Sequence, residues 1–192
     1  ASNGMWFPAD RSLADMPPAE VVQLFEGNLP TQHNTRRLYG QLRAAARFGS
    51  IVGGVDTAAF ALAQSGVINA SEGAEVVLHW EAVPTFRERF PTAELKSQIY
   101  LIDGNRAHCA GGVATLDMVL DLIARFHGEA LANEVANALV HTRREAKAEQ
   151  RGDGRLENEA ATLAARMLAL MEENLDFPLT LEDLAAELGA SQ

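Results

Sequence analysis

The stretch Ser50–Gly66, "SIVGGVDTAAFALAQSG", constrains the fold more than any other. A short apolar run meets two glycines, and an apolar, alanine-rich run follows that ends in glycine. Apolar runs of this length flanked by glycine read as a buried strand, and the longer run closed by Gly66 reads as a helix. Strand, sharp turn and helix in direct succession put one side chain, Asp56, at the apex of the turn. In open α/β sheets ligands gather at the carboxyl ends of strands, which is where such an apex lies. Asp56 therefore has three readings: a catalytic group, a ligand contact, or a cap for the helix "TAAFALAQ".

The flanking sequence repeats the pattern. "EVVQLF" (Glu20–Phe25) reads as a strand, and "NTRRLYGQLRAAARFG" as an amphipathic helix with Asn34 as N-cap and Gly49 as C-cap. Strand, helix, strand, helix implies parallel pairing and an α/β sheet. "AEVVLHW" (Ala74–Trp80) reads as a further strand, and "EAVPTFRERFP" as a short helix with Pro84 in its first turn. "QIYLIDGNRAHCAG" has two apolar runs around Asp103-Gly104-Asn105, a hairpin signal. Two more helices follow, one ending at Gly128 and one packed through Leu131, Val135 and Leu139. The polar run "RREAKAEQRGDGRLENE" then marks a linker over 143–157, after a first domain over 1–142. Residues 158–192 read as two helices, with Thr180 and Asp183 at capping-box spacing.

Bulk properties narrow the function classes. The net charge of −10 repels phosphate backbones over most of the surface, without excluding a basic patch. The single cysteine, Cys109, permits no internal disulfide and no paired-cysteine zinc site, and it suits a reducing, cytoplasmic compartment. No apolar run is long enough to span a bilayer. The histidines show no metal-ligand spacing, and no nucleotide- or cofactor-binding motif occurs, so no cofactor is expected.

Four stretches in order, "GSIVGGVDTAAFALAQSGVI", "VVLHWEAVPTFRERFP", "DGNRAHCAGGVATLDMVLDLIARFHGEALANEVA" and "RMLALMEENLDFPLTLEDLAAELGAS", carry a family resemblance. The chain resembles AraC/XylS-type transcription regulators whose sensor is a PfpI-like, class I glutamine-amidotransferase-like domain. The resemblance implies a flavodoxin-like parallel sheet flanked by helices, followed by a small helical segment. It also implies that the first strand–helix–strand unit is absent, and that 158–192 is the start of a helix-turn-helix domain. Its recognition helix would begin near Ser191 and Gln192. A central piece of a longer regulator is the reading this favours, a naturally short member the other.

In enzymes of this superfamily the elbow carries a cysteine nucleophile. At Asp56 a carboxylate stands instead, which argues for a catalytically degenerate domain and against the alternative, a PfpI-like hydrolase or amidase. A carboxylate at a helix start suits a cationic ligand group. Asp56, Thr57, His79, Glu81, Gly27 and Asn28 form the expected ligand site, with the Gly27-Asn28 loop offering N–H groups to a ligand carboxylate. Trp80 reads as a core aromatic. The expected partners are a small polar effector (an amino acid or quaternary amine), a second copy in a homodimer, and DNA through the complete helix-turn-helix domain only.

Overall fold

The computed structural model describes residues 5–27, 32, 34–150, 166–168, 170–171, 174 and 179–189. The chain divides into two compact units, Ala1–Gln150 and Arg151–Gln192.

In the first unit a four-stranded sheet has the order β1-β2-β6-β5. Strands β1 (Val21–Glu26), β2 (Ile51–Asp56) and β6 (Arg106–Cys109) run parallel. Strand β5 (Tyr100–Asp103) joins β6 antiparallel through the two-residue turn Gly104-Asn105, as the hairpin signal predicts. The sheet is flanked by α1 (Arg36–Arg47), α2 (Ala59–Ser65), α3 (Val83–Arg89), α4 (Ala114–His127) and α5 (Glu129–Ala138). This is the α/β class anticipated from the strand–helix alternation.

Three local expectations are corrected. Helix α1 is capped by Thr35, whose Oγ1 accepts from Leu38 N–H at 3.1 Å, and not by Asn34. Trp80 is 40% exposed and is not a core aromatic. Within Ala74–Trp80 only Glu75–Val76 forms a strand, β3, paired with β4 (Glu94–Leu95) in a separate two-stranded sheet. The rest of that run spends its backbone groups elsewhere. Val77 N–H donates to His108 Nδ1 at 3.3 Å, Leu78 C=O accepts from Gln150 Nε2 at 2.9 Å, and His79 N–H donates to the Asp56 carbonyl at 3.4 Å. The run still crosses the core: Val76 and Leu78 pack with Val52, Phe60 and Phe86, whereas Val77 packs with Val55, Cys109 and Met118.

The glycine pair in β2 has a packing reason. A Cβ on Gly53 would stand 1.6 Å from the Ala107 carbonyl and 2.5 Å from the buried amide of Gln23. A Cβ on Gly54 would meet Ala58 and Leu62 at 3.0 Å, so its absence lets α2 settle on the strand.

The linker expected over 143–157 is corrected in its first half, because residues 143–150 pack on the first unit. Asp117, buried in α4, accepts from the Arg144 backbone N–H (2.9 Å), Arg144 Nε (2.9 Å) and His141 Nε2 (2.7 Å). Arg143 pairs with Glu129 at 2.6 Å. Ala148 C=O accepts from Ile99 N–H at 2.8 Å, and Gln150 Nε2 also donates to Gln98 C=O at 3.1 Å. Composition gave a solvated run; buried Asp117, an acceptor one helix away, captures it. Residues 151–157 lie outside the described ones.

In the second unit, α6 (Leu181–Leu188) starts with the anticipated capping box. Thr180 Oγ1 accepts from Asp183 N–H at 3.2 Å, and Asp183 Oδ2 accepts from Thr180 N–H at 3.0 Å. Hydrogen bonding from Thr180 holds the Asp183 carboxyl below its usual range. Ser191 and Gln192 lie outside the described residues.

Candidate functional site

The turn after β2 is an elbow in the conformational sense. Asp56 has φ of +64°, one of two described non-glycine residues with positive φ. That left-handed region costs an L-residue about 1 kcal/mol or more, though aspartate tolerates it better than most. Helix α2 begins three residues later at Ala59, with Ala58 as N-cap and no side-chain cap bond. The reading of Asp56 as the cap of this helix is therefore corrected: the N-cap position falls to Ala58, two residues on, and no side chain makes a cap bond there. That carboxylate accepts no hydrogen bond from a described residue.

The neighbours of Asp56 come from three segments. Glu26, the last residue of β1, is its register partner. Thr57 is buried, and its hydroxyl donates to the Gly27 carbonyl at 2.7 Å, fastening the elbow to the loop after β1. His79 N–H meets the Asp56 carbonyl, and His79 Nδ1 accepts from Glu81 N–H at 3.4 Å. The same Nδ1 lies 3.6 Å from the Glu81 carboxylate. One nitrogen cannot serve both, because accepting from the amide needs a bare lone pair and the ion pair needs a proton. Gly111 closes the third side, where a Cβ would stand 3.0 Å from the Asp56 Cβ.

Electrostatics follow from this enclosure. Desolvation raises the Asp56 carboxyl above its usual range; His79 opposes this and Glu81 adds to it. Cys109 sits on β6 across from Val55, fully buried, with its Sγ 3.6 Å from Thr115 Oγ1. Burial pushes its thiol up, which disfavours the thiolate form.

The fold thus gathers Asp56, Thr57, Gly27, His79 and Glu81 at one end of the sheet, while Asn28 lies outside the described residues. Sequence reasoning missed Glu26 and Gly111. Glu26 was findable as the last residue of an apolar strand, where strand-end carboxylates collect. Gly111 gave no signal, because its role depends on where β6 ends relative to β2. Among the described residues no group of three His, Cys, Asp or Glu is arranged to hold a metal, and no helix is long and apolar enough to cross a membrane.

A mixed sheet flanked by helices with this elbow is the DJ-1/PfpI, flavodoxin-like fold. Schizosaccharomyces pombe DJ-1 superposes with a TM-score of 0.60 at 14% identity, over 73% of this chain and 76% of that one. An AraC-family transcriptional regulator from Pseudomonas putida does so with a TM-score of 0.60 at 23% identity, over 72% of this chain and 74% of that one.

Sequence relatives narrow the class. The HTH-type transcriptional regulator CdhR of Pseudomonas aeruginosa is 36% identical over 140 residues, 73% of this chain and 41% of CdhR. The HTH-type transcriptional regulator GbdR of the same species is 31% identical over 196 aligned positions, 100% of this chain and 52% of GbdR. The chain spans about half the length of the curated relatives it matches. No protein-family model matches it. AraC-type regulators with a PfpI-like domain are the family that its sequence and fold both match.

Proposed function

We propose that this chain is the sensing part of a transcription regulator, in which an enzyme-type elbow binds a small polar effector and performs no chemistry. The observation that carries the reading is Asp56: a half-buried carboxylate, held at positive φ, with no hydrogen bond from a described residue. A carboxylate so placed suits a guanidinium, ammonium or quaternary amine, whose desolvation it offsets. His79 and Glu81 would complete one wall, and Thr57 would hold the Gly27-Asn28 loop in place for a ligand carboxylate. In the whole protein the effector would shift a cytoplasmic homodimer between two arrangements, and DNA would be read by a complete helix-turn-helix domain, with a recognition helix that begins near Ser191 and Gln192. The hydrolase alternative needs a nucleophile at the elbow, the position where the superfamily's enzymes have cysteine and this chain has Asp56.

The test is isothermal titration of wild type and Asp56→Ala against basic amino acids and betaines. A ligand of the wild type should bind at least about tenfold more weakly to the variant, the loss of one charge-assisted contact. Equal affinity for a bound ligand would refute the assignment of Asp56, and turnover of an amide substrate by the wild type would refute the non-enzymatic reading.

A further inference from the structure

A cleft lies at the opposite end of the strands from the elbow, between the end of α1, the end of α2 and the start of β6. Its volume is about 270 Å³, and Arg43, Arg47, Arg106 and Asn105 line it together with small apolar groups. No carboxylate lines it. Arg47 and Arg106 form no ion pair with a described residue, and the one recorded bond of Arg43 runs to a neutral carbonyl, that of Ser65 at 3.1 Å. Asp103 faces Arg106 across the hairpin register, yet no ion pair joins them.

The arrangement is unexpected in a chain with 26 acidic residues against 16 lysines and arginines. Helix ends account for part of it: Arg47 lies in the last turn of α1, and Arg43 caps the end of α2, where positive charge is favoured. They do not account for Arg106, which lines the cleft from the start of β6. Three cationic residues line one cavity with no carboxylate among them, and an anion bound there would relieve their mutual repulsion. Guanidinium forks match the oxygens of a phosphate group better than any other common anion except carboxylate, and three of them favour a doubly charged one. A concave site of this volume takes a compact ligand; a duplex would need a row of contacts along the surface of a chain whose net charge is −10.

We propose that the Arg43–Arg47–Arg106 cleft binds a phosphate group carried by a small molecule, at a site separate from the elbow.

The test uses the full chain, with inorganic phosphate and pyrophosphate as probes and sodium chloride at matched ionic strength as the control. Isothermal titration and melting-temperature shifts are followed for wild type, Arg47→Gln and Arg106→Gln, and for Arg36→Gln, which sits at the start of α1 outside the cleft. Arg36 and Arg47 are exposed and Arg106 is half-buried, and circular dichroism checks that each variant keeps its fold. Saturable binding of pyrophosphate that weakens at least about tenfold in Arg47→Gln and in Arg106→Gln, but not in Arg36→Gln, supports the site. Stabilisation that sodium chloride reproduces, or an equal loss in Arg36→Gln, overturns it. A short DNA duplex that binds through Arg47 and Arg106 when neither phosphate probe saturates also overturns it, because the patch then follows a nucleic-acid backbone. Asp56→Ala should leave phosphate binding unchanged, which separates this site from the elbow.

Discussion

Asp117 is the most informative residue to perturb outside the elbow. It is buried in α4 and collects His141, the Arg144 amide and the Arg144 guanidinium, whose Nη2 lies 2.8 Å from Oδ2. Asp117→Ala removes all of these and leaves three cationic or polar groups, on two residues, without their acceptor. Breaking a buried ion pair from one side costs about 3–5 kcal/mol. The Arg144 side chain is 43% exposed, so water rehydrates part of it and the lower end, about 3 kcal/mol, applies here. For a unit of this size that lowers Tm by about 6–12 °C. Tryptophan fluorescence isolates the right unit, because both tryptophans, Trp6 and Trp80, precede residue 150. pH provides a second readout. Burial alone would raise the Asp117 carboxyl, but the Arg144 amide, His141 and the Arg144 side chain together hold it below its ordinary 3.8. A carboxyl held low contributes stability above its unfolded-state value and loses it as pH falls through the lower native value. The wild type should therefore lose this contribution below pH 3.8, and Asp117→Asn should lack that part of the acid slope. An Asp117→Ala protein that melts within about 2 °C of wild type would refute the claim that this clamp holds residues 141–150.

Two further substitutions probe the core. His108 is buried, accepts from Val77 N–H, and is pushed down to about 4 by desolvation and then by the Arg106 charge. A histidine held low contributes stability above 6.5 that is lost as pH falls to about 4; unfolding free energies from urea titrations should fall by about 3 kcal/mol more across that window in wild type than in His108→Leu, and parallel curves would contradict it. Gly53→Ala should prevent β2 and β6 from pairing, at a cost of about 3 kcal/mol or more, because the new methyl meets a backbone carbonyl that cannot retreat alone; a soluble variant with native near-ultraviolet dichroism would show that the β2–β6 register is wrong.

The legible parts of this fold are those set by local rules. The hairpin at Gly104-Asn105, the left-handed Gly66 after α2 and the capping box at Thr180 follow from turn and cap chemistry, which depends on a few adjacent residues. The strand–turn–helix at Asp56 was legible for the same reason. Partners supplied by distant segments were not. The run Ala74–Trp80 has strand composition, yet the His108 side chain, the Asp56 carbonyl and Gln150 take its hydrogen-bonding groups. The polar run after α5 looks solvated until buried Asp117 is placed beneath it. Of the candidate site, the residues at the elbow and after it could be named, but not the commitment of the Thr57 hydroxyl to Gly27 or the approach of Gly111, because both arise from strand order.

Gln150 gives the first unit an unusual exit. Its amide donates to the carbonyl of Leu78, and the next residue, His79, donates its own amide to the carbonyl of Asp56. The elbow and the last residue of the unit are thus joined by two hydrogen bonds and a single peptide step, although two strands of the main sheet and the four helices α2 to α5 separate them along the chain. Neither bond belongs to a helix. The chain leaves this unit tethered through a side-chain amide, so its point of departure is registered to the elbow's own backbone and not to the end of α5.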